Sequence, residues 1–256
     1  MSDIYYHRAH TIRQVTAMTL ETLPRHQGGA DELARLLARA LLAGHWQPGD
    51  AFPKELDLGR HFDVSRNQVR NALTSLTSAG LLDRTAGRGT CVRAMSDWHL
   101  LDPLMSQWMT GLTDLDPQLI RAIYAFRFSA EPVVAGLAAE AADADDIARL
   151  EAAFEGMQKT ATSPAARDQH AEYDVMFHDA TYQASHNLVW RQMGHLLRPS
   201  IMALVHGSQH RTDAFDDSLT RHQHVLEAIL RRDADAAAFA AREVLRRTAI
   251  DLGIVS

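Results

Sequence analysis

A chain of 256 residues, 46% hydrophobic and 23% charged, has room for one large or two ordinary globular domains whose cores need no covalent staples. Its one cysteine, Cys91, excludes an internal disulfide framework, and no run approaches the roughly 18 apolar residues of a membrane span, so a soluble cytoplasmic protein with no membrane partner is expected. The net charge of −6 argues against a generally basic nucleic-acid binder, but it is unevenly spread: 12 Lys/Arg stand against 9 Asp/Glu through residue 95, and 14 against 23 after it.

Residues 1–29 read as an arm of unassigned role, in which Tyr5–Arg8 and Thr19–Leu23 have short helical patterns cut off by Pro24 and Gly28-Gly29. Asp31 is placed to cap a helix reaching about Ala43, with Leu33, Leu36, Leu37, Ala40 and Leu41 on its apolar stripe. A turn through Pro48-Gly49 leads past Phe52-Pro53 to a second helix, Lys54 to about His61. Phe62-Asp63-Val64 then delivers a third, opened by Ser65, whose hydroxyl can accept from a free N–H of the first turn. Gly80 suits the left-handed position past its end. Val69, Ala72, Leu73 and Leu76 make a buried stripe, leaving Arg66, Asn67, Arg70 and Asn71 outside. That outer face has long donors and no acid, as base edges and phosphates require, although an ordinary solvated helix face has the same outline. Two short helices joined by such a turn make a helix-turn-helix, whose second helix enters the major groove.

Beyond Gly80, Leu81–Arg84 and Thr90–Arg93 read as strands around Thr85-Ala86-Gly87-Arg88-Gly89, a hairpin placed as a wing. Its glycines admit close backbone approach to a phosphate or the narrow groove, and Arg88 at the tip supplies charge; a simple surface turn is the alternative. Gln47-Pro48-Gly49, Phe52-Pro53-Lys54-Glu55, Val64 through Leu73, Gly80-Leu81-Leu82 and Gly87-Arg88-Gly89-Thr90 together resemble the winged-helix head of GntR-family transcription regulators. The resemblance implies that Arg66 and Arg70 contact double-stranded operator DNA, with Gly87 and Gly89 close to the duplex. Lys54, Ser65, Asn67 and Arg88 join them as candidate DNA contacts. Many members have a basic residue after the Pro-x-Glu where this chain has Leu56, so no DNA contact is expected from there.

Residues 96–256 are helical by pattern throughout. Asp102-Pro103 starts a short helix through Trp108 that Gly111 ends, and Asp116-Pro117 starts a long one to about Ala142 that Pro132 should kink. Asp145 or Asp146 opens the next, to about Lys159, and Ser163-Pro164 begins another ending near Ser185-His186-Asn187. A helix from Leu188 to about Val205 precedes a polar loop, His206-Gly207-Ser208-Gln209, and the last two run from Asp216 to Arg231 and from Ala234 to Leu252. The expected fold is mainly α: a winged helix-turn-helix at 30–95 with a short β-hairpin wing, followed by an all-α bundle at 96–256.

Asp174 and His178, at i and i+4, share one helix face and can take two positions on a divalent ion, with His222 as a third; a core histidine held by an aspartate explains the same spacing. Arg127 sits mid-helix among Ile123, Phe126, Phe128 and Val133-Val134, where a buried guanidinium needs either an internal acid, such as Glu131, or an anionic ligand. Asn187 either lines a pocket or caps a helix.

Arg127 through Pro132, Leu137-Ala138-Ala139, Asp174 through His178, Ser185-His186-Asn187 and His222 through Ile229 resemble the ligand-binding FCD domain of the FadR subgroup. Trp98 through Asp102, Gln107-Trp108 and Asp116 through Ile120 are similar to sugar-acid regulators of the galactonate type. The resemblance implies a divalent metal of the zinc, nickel or manganese class on Asp174, His178 and His222. It implies also a small carboxylate effector, a sugar acid first, held by Arg127 with Asn187 nearby. The family usually supplies one more histidine where this chain has Val244, so water or effector oxygens would complete the sphere; His170, one turn before Asp174, is a possible substitute. The expected function is a ligand-responsive repressor, a homodimer on a near-palindromic operator. The alternative is a metal-dependent hydrolase using Asp174, His178 and His222, although no HExxH pattern occurs.

Overall fold

The computed structural model describes residues 20–26, 28–85, 87, 89–112, 114–161, 163–209 and 215–254. Most of the N-terminal arm, Tyr5–Arg8 included, and the wing-tip Arg88 lie outside them. The chain divides after Ala94 into two compact units.

In the first unit, α1 (Ala30–Leu42), α2 (Glu55–Phe62) and α3 (Arg66–Ser78) precede a hairpin of β1 (Leu82–Thr85) and β2 (Gly89–Val92). The strands pair antiparallel with Leu82 opposite Val92 and Thr85 opposite Gly89. Leu33, Leu37, Leu41, Leu58, Leu73, Leu76, Leu81 and Leu82 are fully buried, so each helix contributes its apolar stripe to one small core. Ser65 caps α3 in a reciprocal box: its hydroxyl accepts from the Gln68 N–H, and the Gln68 side chain accepts from the Ser65 N–H. Asp63 and Gly80 take left-handed conformations (φ 52° and 76°), turning the chain into and out of that helix. Asp31 is not the cap of α1. Gly29 takes the N-cap position with an extended backbone, and Asp31 sits in the first turn, where its charge favours the helix dipole.

The second unit comprises α4 (Pro103–Met109), α5 (Pro117–Ala141), α6 (Ala144–Thr160), α7 (Arg167–Ala184), α8 (Leu188–Gln209), α9 (Phe215–Leu230) and α10 (Ala234–Asp251). Asp102 and Asp116 cap α4 and α5 with side-chain bonds to Leu104 and Gln118 N–H, each followed by proline at the first helical position. Helix α5 continues through Pro132. Three boundaries differ from the sequence expectation. Asp143, not Asp145 or Asp146, caps α6, because its carboxylate and that of Asp146 bond each other's N–H groups. Ser163 does not cap α7, since a 3-10 turn, Pro164–Ala166, intervenes. Helix α8 extends to Gln209, through the expected polar loop at His206–Gln209; one interior glycine costs about 1 kcal/mol, too little to stop a helix by itself.

Helix α10 packs most extensively on α5, α6 on α7, and α7 also on α8. Helix α7 consequently serves two clusters: Phe177, Ala180 and Ala184 face one shared with α5, α6, α9 and α10, whereas Ala171, Val175 and Tyr182 face another with α5 and α8. No helix among the described residues is long and apolar enough to cross a membrane.

Candidate functional site

In the first unit, Arg66, Asn67, Arg70 and Asn71 are exposed along one side of α3. Neither Arg66 nor Arg70 is ion-paired with any described residue, so both guanidinium groups are available to phosphates and base edges. The Ser65 hydroxyl is already engaged with Gln68, accepting at 3.3 Å and donating at 2.9 Å. Lys54 is exposed at the N-cap of α2. Gly87 and Gly89 are exposed at the hairpin tip with φ of 83° and 87°, a backbone that a side chain would strain. The hairpin is tied to the start of α2 by an ion pair between Arg84 and Glu55.

In the helical unit, α7 packs on two sides, and the polar side chains that it turns inward must find partners there. Asp174 and His178 lie one turn apart on α7, and α9 brings His222 to them; their ligand-type atoms all lie within 4.8 Å of one another. Asp174 Oδ1 is 3.3 Å from His178 Nε2 and 3.8 Å from His222 Nε2. Asp174 Oδ1 and His222 Nε2 are nonetheless buried with no aligned hydrogen bond to any described residue. The other ring nitrogens are occupied: His222 Nδ1 lies 2.9 Å from the Ser218 carbonyl and His178 Nδ1 lies 3.0 Å from Glu131 Oε2. With the Nδ1–H of each ring donated to those acceptors, Nε2 is the nitrogen turned toward Asp174. Metal-binding imidazoles are held in this way, so Asp174, His178 and His222 fit a divalent ion as a three-ligand set with open positions.

Arg127, 1% exposed, is paired with Glu131 one turn on, Nε to Oε1 at 2.6 Å and Nη2 to Oε2 at 3.3 Å. Its Nη2 also lies 3.2 Å from His178 Nε2, while Nη1 has no partner among the described residues. Burial works to raise the Glu131 carboxyl, but Arg127 and His178 together outweigh it and hold it at about 2. Burial likewise opposes charge on His178, yet Glu131 and Asp174 push it up to about 9 against the repulsion of Arg127. Asp174 is held well below the usual carboxylate range, its burial outweighed by His222 and His178. For His222 burial prevails over Asp174 and lowers the ring. At neutral pH the cluster is therefore balanced, with Arg127 and His178 charged against Glu131 and Asp174. An ion held at His178 Nε2 must displace that proton.

A cavity of about 20 Å³, room for one or two water-sized species, opens beside this cluster. Glu131, His178, Thr181, Tyr182 and His222 form its polar wall, and Val134, Ala135, Phe177, Val225, Ala241 and Val244 its apolar wall. Val244 thus stands at the site with nothing to coordinate. His170 is not one of the three residues grouped here; its Nδ1 lies 3.0 Å from Thr160 Oγ1 and 3.1 Å from the Met157 carbonyl. Asn187 does not line the cavity either. It is exposed at the start of α8, where its Oδ1 accepts from the N–H groups of Val189 and Trp190, so it is a cap. Three polar residues of the wall were not read as site residues from the sequence: Glu131, weighed only as a partner for Arg127, Thr181 and Tyr182. The spacing Asp174, His178, Tyr182 at i, i+4 and i+8 was the available signal for the last.

Known proteins share both units. Residues 30–92 match the model of the gntR family of bacterial regulatory proteins, and residues 122–247 match the FCD domain. The galactonate operon transcriptional repressor of Escherichia coli K12 is 32% identical over 216 residues, covering 82% of this chain and 91% of that protein. The Glc operon transcriptional activator of the same strain is 26% identical over 220 residues, covering 84% and 85%. Among solved structures, Lar of Listeria monocytogenes superimposes with a TM-score of 0.60 at 15% identity, covering 91% of this chain and 100% of that one, a likeness of fold.

Proposed function

The chain belongs to the gntR family of bacterial regulatory proteins, with an FCD domain behind its DNA-binding head, and on that premise we propose that it is a repressor released from its operator by a small carboxylate. As a member of that family it is a DNA-binding transcription regulator and not an enzyme, so the hydrolase alternative falls. Arg66 and Arg70, with Asn67, Ser65 and Lys54 beside them, read the major groove, and Gly87, Arg88 and Gly89 approach the flanking backbone. The protein acts in the cytoplasm as a homodimer on a near-palindromic site. Sugar acids are the first effector class to test, because the relative at 32% identity governs a galactonate operon.

The observation that carries the effector site is a set of buried groups with no aligned hydrogen bond to a described residue: Arg127 Nη1, Asp174 Oδ1 and His222 Nε2. Each such group left unmatched costs about 1–3 kcal/mol, which a ligand presenting complementary charge recovers. Asp174, His178 and His222 would hold a divalent ion of the zinc, nickel or manganese class. When bound, such an ion supplies open positions for carboxylate and hydroxyl oxygens. Arg127 then balances the carboxylate charge beside it. The cavity admits only water-sized species, so an acid of several carbons has to move its walls, and it changes operator affinity through its unequal fit to the two arrangements.

The test is fluorescence anisotropy on an operator fragment at fixed salt, titrated with D-galactonate and a panel of smaller hydroxy acids, with and without added zinc. Release by one of these acids, lost in Asp174→Ala, is the expected result. Operator binding unchanged by every acid in the presence of zinc refutes the effector reading. Release that survives both chelation and Asp174→Ala refutes the metal.

A further inference from the structure

Tyr182 carries a hydroxyl that the fold has buried and left unused. The side chain is 1% exposed and borders the cavity, and its oxygen has no hydrogen-bond partner among the described residues. A buried tyrosine oxygen ordinarily finds a partner, and one left without costs about 1–3 kcal/mol. The rest of the ring is fully employed. It packs in the cluster with Val134, Leu197 and Ile201 and lies tilted to Trp190 at 6.5 Å between centroids. Helix α8 meets it through Gly194, where a Cβ would fall 2.6 Å from Tyr182 Cβ and 2.7 Å from its Cγ. A phenylalanine would satisfy all of these contacts, and only the oxygen is left unexplained.

Burial, joined by the charge of Glu131, pushes the phenol up against the opposing pull of Arg127, so it remains an O–H donor at neutral pH. Arg127 Nη1 is a second buried donor without an acceptor. The Tyr182 hydroxyl, on a side chain in the cavity wall, asks for an oxygen acceptor. Thr181, also in the wall, donates its own hydroxyl to the Phe177 carbonyl at 2.9 Å, so toward a ligand it can only accept. A donor from Tyr182 and a lone pair from Thr181 suit an alcohol.

We infer that Tyr182 is a ligand-contact residue that donates to a hydroxyl oxygen of the effector and selects hydroxylated carboxylates over their deoxy counterparts. The inference rests on the effector-site reading above. A site built to bond a hydroxyl discriminates strongly against the analogue lacking it, because its own polar groups are then left unmatched.

Tyr182→Phe tests this by calorimetric titration and thermal shift of the full chain with added zinc. The probes are D-galactonate, L-lactate and glycolate, set against hexanoate, propionate and acetate. In the altered chain, the Kd of the best-bound hydroxy acid should rise by about tenfold or more, while that of its deoxy counterpart stays the same. Equal weakening of both acids marks the ring as structural and overturns the inference, as does an unchanged Kd for the hydroxy acid. A deoxy acid bound as tightly as its hydroxy counterpart by the unaltered chain overturns it too. If no acid shifts the unaltered chain, the effector reading itself has failed.

Discussion

Glu131→Gln removes the acceptor on which the buried cations of the helical unit depend. The carboxylate receives Arg127 through bonds of 2.6 and 3.3 Å and His178 Nδ1 at 3.0 Å, and it is 5% exposed. An amide of the same shape keeps one acceptor and turns an N–H2 toward a guanidinium. Breaking a buried pair by neutralising one partner costs about 3–5 kcal/mol. Part is recovered here, because His178, no longer pushed up by Glu131, can shed its proton at neutral pH. A net loss near 3 kcal/mol is expected, or about 6–12 °C in melting temperature for a unit of this size. Urea unfolding at pH 7 reports it directly, since Trp98, Trp108 and Trp190 lie in the helical unit. Arg127→Met completes the cycle: the double substitution should be more stable than the sum of the single losses by about 1–3 kcal/mol. A loss under about 1 kcal/mol for Glu131→Gln, or strict additivity, would refute the reasoning.

Two further outcomes follow from the same geometry. Arg70→Ala should weaken operator binding by about 1–3 kcal/mol at fixed salt while leaving the melting temperature within a degree, because the side chain is exposed and ion-paired with no described residue; equal affinity for the operator would remove Arg70 from the reading surface. Stability should also depend on pH through His178. Its pKa, raised from 6.5 to about 9, gives a contribution on the order of 3 kcal/mol that is whole below pH 6.5 and lost as pH rises through 9. Glu131 acts in the opposite sense, held at about 2 instead of 4.5, so its contribution is whole above 4.5 and lost as pH falls through 2. Urea midpoints measured from pH 6 to pH 10 should decline in the unaltered chain and flatten in His178→Gln; an identical slope in both would show that another group carries the effect.

Much of the head could be read locally. The Ser65 cap, the Val69-Ala72-Leu73-Leu76 stripe and the wing glycines are spacings within a few residues, and the backbone rules that fix them act over one turn. The start of α6 was misplaced where three aspartates competed for one cap: Asp143 prevailed over Asp145 and Asp146 because Asp143 and Asp146 are spaced for a reciprocal box. Asn187 suits a cap or a pocket wall by residue type, and the N–H groups of Val189 and Trp190 decided for the cap.

By itself, the sequence determined the family, the two kinds of unit and the i, i+4 pair Asp174 and His178, because these depend on residue order along one strand of chain. Only tertiary structure decided which partner each buried charge takes. Arg127 met Glu131 and left Nη1 unmatched, the Nδ1 of His170 turned to α6, and His222 arrived from α9 with its Nε2 3.8 Å from Asp174 Oδ1. Those outcomes depend on how the neighbouring helices pack around α7. Burial there makes every unmatched polar atom costly, and that cost is what distinguishes the unmatched groups, Tyr182 among them, from the satisfied ones.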